Sequence, residues 1–138
     1  MIPYATYKVL HLAGIFFLLF SLSSYLVVVN SKSDKFRKLA SIMHGISLFI
    51  ILVGGFGLLA RLGIMHGTDW PVWVWAKLSI WILMAAMVFF IKKFQSLSLF
   101  IWFAVPVLAI IAAYLAVYKP LYSYSLNLFL LIDSINKR

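Results

Sequence analysis

The chain has 138 residues, of which 65% are hydrophobic and only 11% are charged, and it contains no cysteine. A soluble domain of this length needs far more charge on its surface, so the composition indicates a single integral membrane domain. The lack of cysteine excludes disulfides, thiolate ligands, iron–sulfur clusters and c-type haem attachment.

Four apolar runs are each long enough to cross about 30 Å of hydrocarbon as a helix. They cover residues 7–29, 39–62, 72–91 and 97–118. The first run lacks a strongly basic start and a small-residue cleavage site, so it is interpreted as a true span rather than a signal peptide. The sequence therefore predicts an all-α, antiparallel four-helix membrane bundle in residues 1–120.

Residues 121–138 form a distinct C-terminal tail. Its apolar part, roughly 121–132, is too short to span a bilayer. We expect this part to lie in the membrane interface, or to pack on a second copy or on a larger membrane complex. Pro120 is expected to end the fourth helix, and Pro106 is expected to kink it.

Half of the twelve Lys and Arg residues lie in two short loops, whereas the loop between spans two and three has none. The six are Lys32, Lys35, Arg37, Lys38, Lys92 and Lys93. The positive-inside rule predicts that both basic loops are cytoplasmic and that both termini are periplasmic, in a bacterial inner membrane. The formal net charge of +9 is thus attributed to the lipid bilayer, and no nucleic acid partner is expected.

In lipid, the inward faces of helices are indicated by small and polar residues. In each of the first three spans a stripe of residues at alternating spacings of three and four contains such residues. Span one has His11, Gly14, Leu18, Ser21 and Tyr25, and span two has His44, Ser47, Ile51, Gly54, Leu58 and Arg61. Span three has Lys77, Trp81, Met84 and Val88. Span four allows two adjacent faces: one through Phe103, Val107, Ile110, Tyr114 and Val117, the other through Pro106, Ala109, Ala113 and Ala116.

An uncompensated imidazole in hydrocarbon costs about 2 kcal/mol or more. The helical rise places His11 about 6–9 Å below the outer edge and His44 about 25 Å from it, so the two are not expected to ligate one iron. His11 is interpreted either as an axial haem ligand or as a histidine bonded to a Ser, Tyr or carbonyl of a neighbouring helix. His44 is interpreted mainly as a packed histidine bonded through Ser47 or Ser41, and otherwise as an inner-side ligand or proton relay.

Lys77, Arg61 and Tyr114 are predicted at the depth of His11 or nearer the outer edge. The two cations are expected either to pair with the carboxylates of a porphyrin or to snorkel to the interface. Three glycines of span two allow the close approach of a helix or of a flat ligand: Gly54, Gly55 and Gly57. The acidic residues lie outside the spans, which disfavours a carboxylate-driven pump and di-iron chemistry.

Three stretches carry a resemblance to a known family: "YKVLHLAGIF" opening span one, "WVWAKLSIWIL" opening span three and "AVYKPL" closing span four. Their order and spacing over residues 7–121 resemble the HemJ-type protoporphyrinogen oxidase group and the related CopD-like and SirB-like bundles. The resemblance implies a four- or five-helix bundle and, in the oxidase members, b-type haem.

Within that resemblance, His11 falls on the first-span histidine of the family and Lys77 on the lysine of its Trp-x-His-Ala-Lys motif. The chain differs at Trp75, where the motif has histidine, and at Leu18, where tryptophan is usual. The resemblance implies haem b binding, with porphyrin oxidation or membrane electron transfer as the activity. The predicted cofactor-binding residues are His11, Gly14, Arg61, Lys77 and Tyr114. The alternative is a cofactor-free accessory subunit of a larger membrane complex.

Overall fold

The computed structural model describes residues 2–29, 33–64, 70–94, 96, 98–118, 132 and 135. These residues form four α-helices and no strand: α1 (Tyr4–Val28), α2 (Asp34–Arg61), α3 (Val72–Lys93) and α4 (Ser98–Tyr118). All four helices are long and apolar enough to cross a membrane. The predicted all-α, four-helix membrane protein is thus confirmed. The tail, 121–138, lies outside the described residues except for Ile132 and Ile135, and Pro120 lies outside them too.

Helix α2 begins at Asp34, before the apolar run that starts at Leu39. In this first turn the Asp34 carboxylate pairs with Arg37, three residues further on. A carboxylate at a helix N-terminus also interacts favourably with the helix dipole. The charged turn therefore carries α2 beyond the hydrocarbon, which a pattern of apolar residues alone does not indicate.

Neighbouring helices run antiparallel. Gly14 of α1 faces Ile51 of α2, whereas Gly54 further along α2 faces His11 earlier in α1. Between α2 and α3, the indole Nε1 of Trp81 donates a hydrogen bond to the carbonyl of Leu48 at 3.1 Å. The α1–α2 pair is the most closely packed of the bundle, because the two glycines let the helix backbones approach each other.

The inward faces predicted for the first three helices are largely confirmed. Gly14, Leu18, Ser21 and Tyr25 of α1 are all buried, and so are His44, Ser47 and Gly54 of α2 and Met84 of α3. The other predicted members of these stripes are partly buried. Polar and small residues identified these faces because lipid leaves apolar positions uninformative.

Helix α4 buries a face that neither predicted stripe contains. Its buried residues are Ile101 and Val105, and Leu108 packs against the same core. By contrast, Val107 and Tyr114 of the predicted polar stripe are each 54% exposed. The prediction for this helix was wrong because the buried face is purely apolar, and an apolar face in lipid is indistinguishable in sequence from a lipid-facing one.

The main core lies toward one end of the bundle, where α1 ends, α2 begins, α3 ends and α4 begins. We call this the basic end, after Lys35, Arg37, Lys38, Lys92 and Lys93. Its buried cluster joins all four helices: Leu18, Leu22, Tyr25, Val29, Ala40, Leu48, Met84, Met87, Ile91, Ile101 and Val105. At the opposite end a smaller cluster of Leu59, Trp73 and Val74 joins only α2 and α3.

Candidate functional site

The candidate site is built on the contact between α1 and α2. A Cβ added to Gly54 would lie 2.8 Å from the Cα of His11, and a Cβ added to Gly14 would lie 3.0 Å from the backbone nitrogen of Ile51. Both distances are shorter than ordinary van der Waals contact, so a larger residue at either position would require the helix backbones to shift. The predicted space beside Gly54 is therefore filled by the neighbouring helix and not left open for a flat ligand.

The same contact orients the His11 imidazole. Its Nδ1 lies 2.8 Å from the carbonyl oxygen of Ile51. A carbonyl oxygen only accepts, so Nδ1 carries the proton and donates it. In the neutral imidazole the Nε2 atom then bears a lone pair. No described residue hydrogen-bonds to Nε2, and the histidine as a whole is only partly buried.

Lys77 of α3 supplies a positive charge at this site. It interacts electrostatically with His11, and its Nζ lies 5.0 Å from the centre of the Trp73 ring. A cation above an aromatic face is attracted by the electron-rich ring. The structure thus brings His11 and Gly14 of α1 and Lys77 of α3 to the same level of the bundle.

Two further predicted site residues lie apart from this group. Arg61 donates a hydrogen bond to the carbonyl of Ile2 and so ties the end of α2 to the start of α1. It follows Ile51 by ten residues, which is about 15 Å of helix. The Tyr114 ring is exposed and packs on Tyr118, with 4.6 Å between ring centres. No hydrogen bond joins either residue to His11 in the described part of the chain.

Fewer residues of α1 and α4 are buried at the level of His11 than near the basic end. No described residue of α1 before Gly14 is buried, and none of α4 after Val105 is buried. Helices α2 and α3 still pack together here through Leu59 and Trp73. His11 and Lys77 therefore lie where the four-helix core gives way to a less closed arrangement.

These residues can be tested against the b-type haem implied by the resemblance. Such a haem needs a neutral imidazole nitrogen for its iron, a second partner that orients the imidazole, and cations for its carboxylates. His11 offers Nε2, the Ile51 carbonyl orients the ring, and Lys77 supplies a cation. The donor set fits the group, although the described residues show no second axial ligand beside His11, and no set of three or more metal-binding His, Cys, Asp or Glu residues.

His44 lies deep in the core toward the basic end, and only 4% of it is exposed. Its ring faces the backbone of Met84 and Ala85 on α3, but neither nitrogen has a hydrogen-bond partner among the described residues. The predicted bond through Ser47 or Ser41 is therefore wrong, and the Ser47 hydroxyl instead donates to the Met43 carbonyl at 2.7 Å. Serine hydroxyls in helices commonly bond back to the preceding turn in this way.

The two histidines are not ligands of one group in this fold. His44 precedes Ile51, the residue that His11 contacts, by two helical turns or about 10 Å. One histidine lies between α1 and α2, whereas the other faces α3. The partner of His11 is a carbonyl of the neighbouring helix, which is one of the predicted alternatives, but the sequence carries no signal for which carbonyl it is.

The fold and this site define a small membrane protein with four bilayer-spanning helices and one oriented, partly buried histidine. No protein-family model matches the chain, and neither a curated protein nor a solved structure matches it. The resemblance to the HemJ-type group therefore stays a prediction.

Proposed function

We propose that this protein is a small integral membrane protein that binds b-type haem through His11. One observation carries the proposal. The Nδ1–H of His11 is committed to the Ile51 carbonyl at 2.8 Å, which leaves Nε2 without a partner among the described residues. Histidines that ligate metals are commonly oriented by such a bond from the other ring nitrogen.

The remaining residues have defined roles in this proposal. Gly14 and Gly54 hold α1 against α2, so that the His11 backbone is fixed relative to the Ile51 carbonyl. Lys77 places a positive charge at the same level, where it neutralises a carboxylate of a bound porphyrin. A bound haem supplies one-electron redox chemistry, whose potential the protein tunes through the axial ligand and the surrounding polarity. Porphyrin oxidation or membrane electron transfer is the activity we propose for this site.

The test is an absorption spectrum of the purified protein in detergent. The wild type is expected to show a Soret band that shifts on reduction with dithionite. His11→Ala is expected to lose this band, whereas His44→Ala is expected to keep it, since His44 faces a different helix pair. Size-exclusion chromatography and circular dichroism verify that both variants remain folded. Full haem retention in His11→Ala, or a wild type without any Soret band, contradicts the proposal.

A second candidate function is a cofactor-free accessory subunit of a larger membrane complex. The observation that favours it is the uncovered small-residue face of α4, where Ala113 and Ala116 are exposed and Ala109 is only partly buried. Small residues typically line contacts between membrane helices. A haem-free wild type that co-purifies with a larger partner supports this candidate, and replacement of Ala113 by Leu is then expected to weaken the association.

A further inference from the structure

We propose that the basic end of the bundle binds the headgroup of an anionic phospholipid, in the angle between the start of α2 and the end of α3. This site is separate from His11 and does not depend on haem. The occupant is a lipid held by its phosphate, recognised by lysines of two adjacent helices.

The start of α2 and the end of α3 both border the main core. Ala40 of α2 is 6% exposed and Ile91 of α3 is completely buried, and both belong to the same buried cluster. Lys38 is within one turn of Ala40, and Lys92 and Lys93 directly follow Ile91. One turn is about 5.4 Å of helix, so the lysines of both helices lie within about one turn of residues of this shared core.

The charge at this end is unbalanced. The described residues at this end include five cations: Lys35, Arg37, Lys38, Lys92 and Lys93. They include one carboxylate, that of Asp34, so the net charge of this end is +4 (five minus one). That carboxylate is engaged with Arg37, and Arg37 is only partly exposed, whereas the four lysines are exposed. Like charges at such spacing repel one another, and a bound anion relieves the repulsion.

The position of the lysines along the helices favours a lipid over a soluble anion. They lie where the apolar runs of α2 and α3 end, which is the depth of the phosphate headgroups. Exposed aromatic rings accompany them: Phe36 is 60% exposed and Phe94 is 41% exposed. The Nζ of Lys93 lies 5.4 Å from the centre of the Phe94 ring. Phenylalanine side chains at the membrane surface typically insert into the boundary between headgroups and acyl chains.

Native mass spectrometry of the detergent-purified protein tests the site. Phosphatidylglycerol and phosphatidylcholine with the same acyl chains are added at equal concentration, and the wild type is expected to retain the anionic lipid preferentially. The triple variant Lys38→Gln, Lys92→Gln, Lys93→Gln is expected to lose about fivefold in that preference for each lysine removed. The matched control is Lys8→Gln, an exposed lysine at the opposite end, which is expected to keep the preference.

Three outcomes overturn the proposal. The first is equal retention of both lipids by the wild type, and the second is an equal loss in Lys8→Gln. The third is displacement of the lipid by inorganic phosphate at the same concentration, which identifies a free-phosphate site. If the triple variant does not fold, the wild type is tested at increasing ionic strength instead. Its preference for the anionic lipid is expected to fall as ionic strength rises. A preference that does not change with salt overturns the proposal.

Discussion

The Nδ1 of His11 donates a hydrogen bond to the carbonyl of Ile51 at 2.8 Å, and this bond links two residues that are 40 positions apart in the chain. One turn away, Gly54 contacts the backbone of His11 itself. The imidazole is therefore fixed by the helix packing around it, because the same glycine contact that brings the two helices together sets the hydrogen-bond distance.

The first prediction concerns the glycines of α2. Gly54→Ala is expected to lower the free energy of unfolding in detergent by about 1–3 kcal/mol, the usual cost of overpacking. The added Cβ would lie 2.8 Å from the His11 backbone. Backbone atoms cannot relieve this overlap by a change of rotamer, as a side chain could. Thermal or denaturant unfolding, followed by circular dichroism, measures the change.

The matched control is Gly45→Ala in the same helix. Nothing lies within 4 Å of the Cβ that this substitution would add, and alanine favours a helix over glycine by about 1 kcal/mol. Gly45→Ala is therefore expected to be neutral or stabilising. Equal losses at both positions would contradict the close α1–α2 contact.

The second prediction compares the two histidines. His44→Leu is expected to preserve or raise stability, because a buried imidazole without a partner costs about 1–3 kcal/mol. His11→Leu is expected to lower stability by about 1 kcal/mol, because the bond to Ile51 is lost. Unfolding measurements are expected to show a loss of stability in His11→Leu and none in His44→Leu. A clear loss of stability in His44→Leu would show that its imidazole bonds to the backbone of α3.

The third prediction concerns the burial of α4. Val105 is 5% exposed and Val117 is 74% exposed, although both are valines of one helix. Val105→Ala is expected to cost about 1 kcal/mol or more through lost packing, whereas Val117→Ala is expected to cost close to nothing. Equal effects on the melting temperature would mean that α4 does not pack through its first half.

The fourth prediction concerns orientation in the membrane. Because five of the eight described Lys and Arg residues cluster at the basic end, the positive-inside rule predicts that this end is cytoplasmic. The chain has no cysteine, so single cysteines introduced at Ser96 and at Leu62 report on the two ends separately. In intact cells an impermeant thiol reagent is expected to label Leu62→Cys and to leave Ser96→Cys unlabelled. The reverse pattern would invert the proposed topology.

The sequence by itself determined the class of protein and most of the packing faces. Long apolar runs indicate membrane helices because a bilayer requires about 20 apolar residues for each span. In α1, residues such as Gly14 and Ser21 marked the inward face correctly, because small and polar residues in lipid are placed where another helix or a hydrogen-bond acceptor is available.

Only the tertiary structure decided which atoms meet. The sequence could not show that His11 bonds to Ile51, because the acceptor is a backbone carbonyl and every residue has one. The sequence predicted similar depths for Arg61 and Lys77, but depth along a helix does not indicate which neighbour a long side chain contacts. The structure shows that Arg61 bonds to the Ile2 carbonyl, whereas Lys77 lies over the Trp73 ring. The buried face of α4 was equally hidden, because Val105 in the core and Val117 in lipid are chemically the same residue.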